Sequence, residues 1–267
     1  YPSIEKVYAL YGKTTDVSDA HFIFPHHNFN EHSRGAVYKF FQKYLTPDAS
    51  PHAVTEEKDA PPRLQDMLVF EGMSLPPGAK TYDQLVEAWK QMSRDSLASL
   101  DTAGLRDELQ TALAASWPER VDSTERGEGL VLSRPGVGDA VPAKWYPAKG
   151  APVLIVDPAG CDTALKSEAF RSARASGHAV LCIDAFQTGA AKTERPKLPK
   201  FYLTFNRSDD QNRVQDILTA LAFLKEKSSA TAEISASGRA GLWAVFAAAV
   251  APVPVRLHAD TDGFHGT

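Results

Sequence analysis

Two stretches of the chain carry side chains that could do covalent chemistry. The first is PHHNFNEHSR, residues 25–34, with His26 and His27 adjacent. An imidazole titrates near neutral pH, so it can take up a proton and return it within one turnover. A histidine in a loop is more often a plain surface residue. This pair, however, follows a short apolar run and precedes a segment with helical spacing, a place suited to a base at the rim of a sheet. The second stretch is SASGRAGLW, residues 235–243. Here a strand ends, small residues turn the chain sharply, and a helix begins. Such an elbow presents a nucleophile in a G-x-nucleophile-x-G frame. Gly241 takes the trailing glycine position and Ser237 the leading one, with Gly238 and Ala240 between them. The nucleophile position then falls on Arg239. A guanidinium stays protonated and cannot be acylated. The backbone device is therefore expected without its chemistry, and Ser237 would serve only if the turn shifted by two residues.

Other polar residues have plainer readings beside functional ones. VDPAG, residues 156–160, closes an early strand, where a loop can supply backbone N–H groups to an oxyanion. Ala159 and Gly160 are the candidates, and an ordinary strand-to-helix turn explains them equally well. Asp157 and Asp184 stand at carboxyl ends of strands, where α/β folds gather ligands. Asp162, Asp209 and Asp210 read as helix caps or first-turn charges, and Asp16 and Asp19 as a polar turn. SGRAG also admits a phosphate-cradling reading, but it lacks the full G-x-G-x-x-G frame and follows a late strand. Cys161 and Cys182 lack metal-ligand spacing and read as two unpaired core thiols. Neither a cofactor nor a metal is called for.

The elements that must position these residues follow from periodicity. IEKVYALYG reads as a helix stopped at Gly12, AHFIFP (20–25) as a short buried strand, and the segment after the histidines as a helix capped by Asn30. Residues 46–63 are rich in proline and charge and read as a linker. Thr81 and Gln84 form a capping box ahead of a helical stretch to about Trp117, which DTAG at 101–104 divides. GLVLSR and VPAKWYP then pair as a hairpin. Beyond them, strands PVLIVDP, HAVLCIDA, AEISAS and PVRLHAD alternate with helices. Near-continuous apolar strands alternating with helices predict a mostly parallel sheet with helices on both faces, preceded by a helical linker segment.

The 267 residues are 43% hydrophobic and 23% charged, with a formal net charge of -4. That is globular composition without the basic run that nucleic-acid binding needs. No apolar stretch reaches the length of a membrane span. The chain opens on Tyr1 without a signal-peptide pattern and closes on DTDGFHGT, so both ends read as cut from a longer protein.

PHHNFNEHSRGAVYKFF resembles the C-terminal block of a bacterial α/β-hydrolase family, the acetyl xylan esterase-like proteins. In that block the triad histidine directly precedes the first Asn, which maps onto His27, with His26 as its neighbour. FYLTFNRSDDQNRVQDILTALAFLK and AVLCIDAFQTG resemble the opening half of a second, degenerate hydrolase-like domain in tandem members. The resemblance implies three parts. Residues 1–46 would end a first hydrolase domain, 47–120 would be a linker and helical segment, and 121–267 would begin a second, non-catalytic domain. It further implies a serine and an acid upstream of Tyr1, a small-molecule or carbohydrate ester as substrate, and a secreted or periplasmic site. Against this stand a non-catalytic binding or support module and a Rossmann nucleotide-binding enzyme.

Overall fold

Runs of apolar residues longer than one sheet face requires set the centre of the molecule. The computed structural model describes residues 1–23, 26–46, 56, 60–195 and 199–264. The chain divides into two compact units, Tyr1–Ala79 and Lys80–Thr267.

The second unit holds a seven-stranded sheet. In chain order it contains α4 (Tyr82–Ala98), α5 (Thr102–Leu113), β1 (Asp122–Arg126), β2 (Gly129–Ser133), β3 (Val141–Tyr146) and β4 (Gly150–Val156). Then come α6 (Cys161–Ala164), α7 (Glu168–Ala175), β5 (His178–Ile183), α8 (Tyr202–Phe205), α9 (Asp209–Lys227), β6 (Ala232–Ala236), α10 (Arg239–Val250) and β7 (Val255–Ala259). The strand order is β1-β2-β3-β5-β4-β6-β7. β1, β2 and β3 are antiparallel, and β3 pairs antiparallel with β5. β5, β4, β6 and β7 run parallel. The expected mostly parallel sheet is thus present, and β1 is an addition to it.

Burial on both faces explains the unbroken apolar runs. In β4, Leu154 and Val156 point into one cluster with α9 and α10, while Val153 and Ile155 point into a second beside α6 and α7. In β5, Leu181 and Ile183 face the first, and Val180 and Cys182 the second. Each such aliphatic side chain contributes about 1.5–3 kcal/mol on burial. Trp145 and Phe223 meet edge to face at 5.8 Å in the larger core. Helices α4 and α5, read from sequence as connecting segment, fall within this unit. Leu113 at the end of α5 is a core residue, and Arg106 donates to the Ala249 carbonyl at 3.0 Å.

Cys161 and Cys182 are buried, as expected, but they are not separate thiols: they form a disulfide with Cα atoms 5.6 Å apart. β4 and β5 are parallel neighbours, so the start of α6 arrives beside the end of β5. Sequence spacing alone does not reveal that proximity.

The first unit contains α1 (Pro2–Leu10), α2 (Glu31–Leu45) and α3 (Leu64–Met67), none of which buries a residue. Asn30 caps α2 as predicted, accepting from the Ser33 N–H at 3.1 Å. The strand expected over 20–25 does not form over residues 20–23, and Phe24 and Pro25 lie outside the described residues. A strand needs a neighbour to satisfy its backbone groups, and among the described residues of this unit there is none.

Candidate functional site

The β6–α10 turn has the backbone of an elbow, but its tip lies one residue earlier than the spacing predicts. Gly238 is the residue with positive φ, at φ 55° and ψ -140°. A nucleophile elbow places the reacting residue on the strained position of the turn. That position is Gly238, and Arg239 is already the first residue of α10. The flanking small residues are then Ala236 and Ala240, with Gly241 one place further along. Glycine has no side chain that could act as a nucleophile. The informative sequence signal was the glycine itself, the residue that accepts positive φ at little cost.

Close packing explains Gly241. A Cβ there would run into the backbone carbonyl of Asp260. The Asp260 N–H in turn donates to the Ala236 carbonyl at 3.0 Å, holding the β7 exit against the β6 exit. The Ala240 and Gly241 N–H groups donate to the carbonyls of Ser237 and Gly238 and close the first turn.

Arg239 is 67% exposed along its side chain and is tied to Asp210 at 3.0 Å. Asp210 also accepts from Arg213 at 2.8 Å and from the Trp243 indole Nε1 at 2.9 Å. Burial pushes the Asp210 carboxyl up, but hydrogen bonds from Arg239 and Arg213 outweigh it and hold it below its ordinary range. Arg213 lies over the Trp243 ring at 4.5 Å. Arg195 bonds Asp209 at 2.7 Å and lowers that carboxyl as well. A row of alternating charges therefore lies beside the elbow. Asp209 and Asp210 do occupy the first turn of α9, as read from sequence, and they also bridge three arginines.

Among the described residues, the side-chain partner of Ser237 is an acid. Its hydroxyl lies 3.3 Å from Asp157 Oδ2. The two candidate oxyanion donors are already engaged: Ala159 N–H with Asp157 Oδ1 at 2.8 Å, and Gly160 N–H with the Asp157 carbonyl at 2.9 Å. Both bonds brace the turn after β4. Asp184 is buried and accepts the Cys161 N–H at 2.7 Å. Its carboxylate fills the space where a Cβ on Gly160 or Gly189 would stand. It ties the β4–α6 turn to the β5 exit.

His26 and His27 belong to the first unit, and both are exposed. Polar residues of the same motif brace their loop. Asn28 Nδ2 donates to the His26 carbonyl at 2.9 Å, and Asn28 Oδ1 accepts the Asn30 N–H at 3.2 Å. Arg34 donates to the Phe29 carbonyl at 2.5 Å. Its guanidinium also grips Glu56 with Nε and Nη2, at 2.5 and 2.6 Å, and the Tyr38 hydroxyl donates to the same carboxylate at 2.8 Å. Arg34 and Tyr38 hold Glu56 down to about 2. The sequence reading missed Glu56, which sits in the stretch read as a linker. Asp16, by contrast, is the polar turn expected, accepting from Tyr44 at 3.3 Å.

Among the described residues no group of three or more His, Cys, Asp or Glu side chains could hold a metal ion, and no helix is long and apolar enough to cross a membrane.

No family profile and no curated protein sequence matches the chain. Solved structures similar to it include an acetyl xylan esterase from Paenibacillus sp. R4, at 14% identity and TM-score 0.38. That match covers 58% of this chain and 57% of the other. Acetyl xylan esterase 1 from Thermoanaerobacterium sp. JW/SL YS485 matches at 12% and 0.39, covering 57% and 56%. Mouse alpha/beta hydrolase domain-containing protein 10 matches at 13% and 0.31, covering 51% and 46%. The chain spans 38% of the length of Rv0554 from Mycobacterium tuberculosis and at most 57% of the esterases. On its own strand order, with parallel strands β5-β4-β6-β7 and helices on both faces, the second unit has an α/β-hydrolase-like fold.

Proposed function

We propose that residues 80–267 form a hydrolase-like module that cleaves no ester, and that His27 is the base of a serine ester hydrolase in the complete protein. The substrate class proposed is acetyl esters of carbohydrates. One observation carries the first half: the tip of the elbow is Gly238, which has no side chain to acylate. Arg239, the next residue, is held by Asp210 in a structural ion pair, which argues for support over ligand capture. The second half is supported by the resemblance of residues 25–41 to a triad-histidine block and by the exposure of His27 on a braced loop.

In this reading a serine outside these residues attacks the ester carbonyl while His27 takes its proton. The imidazolium gives that proton to the departing alcohol, and water drawn by the same base releases the acyl group. Assaying the complete protein on aryl acetates tests this. His27→Ala is expected to lower kcat by about 10²–10⁴-fold, the usual worth of a positioned base. Arg239→Ser is expected to change nothing. Full activity in His27→Ala would remove the assignment.

A further inference from the structure

We infer that Arg34 and Glu56 are positioning residues for the histidine loop, an inference that rests on His27 being the base. One guanidinium serves both ends of the contact. Nη1 holds the Phe29 carbonyl two residues beyond His27, while Nε and Nη2 face Glu56 in a fork. A fork-on-carboxylate pair fixes direction as well as distance, which a lysine cannot reproduce. Tyr38, one turn along α2, donates to Glu56 Oε1 at 2.8 Å and gives that carboxylate a third hydrogen bond. Asn28 and Asn30 fix the remaining turn, from the His26 carbonyl to the first N–H groups of α2. Without Glu56, Arg34 is a long, solvated side chain with rotamer freedom to lose before it can hold Phe29. The segment read as a linker thus contributes part of the site, by clamping the residue that clamps the loop.

The experiment has two readouts on Glu56→Gln, Arg34→Lys and the exchanged pair Arg34→Glu with Glu56→Arg. Hydrogen exchange of the amides at 28–34 is measured in this chain, and kcat and KM for an aryl acetate in the complete protein. Glu56→Gln and Arg34→Lys are expected to speed exchange about tenfold, the scale of one charge-assisted hydrogen bond. They are also expected to lower kcat with KM unchanged. The exchanged pair regains the ion pair but places a carboxylate opposite the Phe29 carbonyl, so neither loop protection nor kcat returns. A merely structural ion pair would recover both. Wild-type exchange and kcat in Glu56→Gln overturn the inference. If His27→Ala keeps full activity while Glu56→Gln still speeds exchange, the clamp stands and the reading of His27 falls.

Discussion

Asp216 in α9 makes the stability of the second unit depend on pH in an unusual direction. Protein packs around its carboxyl, and burial pushes its pKa from 3.8 up to about 7. The Phe186 N–H, donated at 2.7 Å, works against that rise, Asp139 adds to it, and Arg134 and Arg213 oppose it. A carboxyl raised on folding favours the folded state while it is protonated. Its contribution is complete below about pH 4, declines as the unfolded chain ionises, and is lost as pH passes about 7. The interval from 3.8 to about 7 is worth at most ~4 kcal/mol. The side chain keeps some access to solvent, so the realised difference is nearer ~2 kcal/mol. Asp216→Asn keeps an oxygen acceptor for Phe186 and removes the titration. Urea unfolding at pH 5, 6, 7 and 8, followed by tryptophan fluorescence, is expected to show wild type losing stability relative to the variant as pH rises. At pH 8 the variant should be the more stable by about 2 kcal/mol. Parallel pH profiles for the two proteins would refute the reasoning.

The elbow supplies two further tests. Gly241→Ala must displace the Asp260 carbonyl and is expected to cost ~3 kcal/mol in chemical denaturation, in the range of other overpacked sites. Gly238→Ser has room, since its Cβ would stand 3.7 Å from Pro158 Cγ. It is expected to cost ~1–3 kcal/mol for positive φ and to give this chain no aryl acetate hydrolysis, because the side chains bonded at that turn among the described residues are Asp157 and Asp210, not an imidazole.

What could be read from the sequence follows how local each signal is. Asn30, the Thr81–Gln84 box and the break at Asp101 are caps, fixed by residues a few places apart, and all three appear. The strands β4 and β5 stood out because burial on both faces leaves unbroken apolar runs. β1, with the sequence DSTER and every residue exposed, had no such mark and forms only because β2 lies beside it. The Cys161–Cys182 bond and the Arg34–Glu56 clamp join residues brought near by the fold. The elbow register was open to local reasoning: positive φ at Gly238 outranks the spacing of flanking glycines, which had pointed to Arg239.

The most direct measurement of the central claim is covalent labelling of the complete protein with a fluorophosphonate, followed by mapping of the modified peptide. The account predicts label on a serine outside residues 80–267, and its loss in His27→Ala. Label on Ser237, or undiminished labelling without the His27 imidazole, would contradict it.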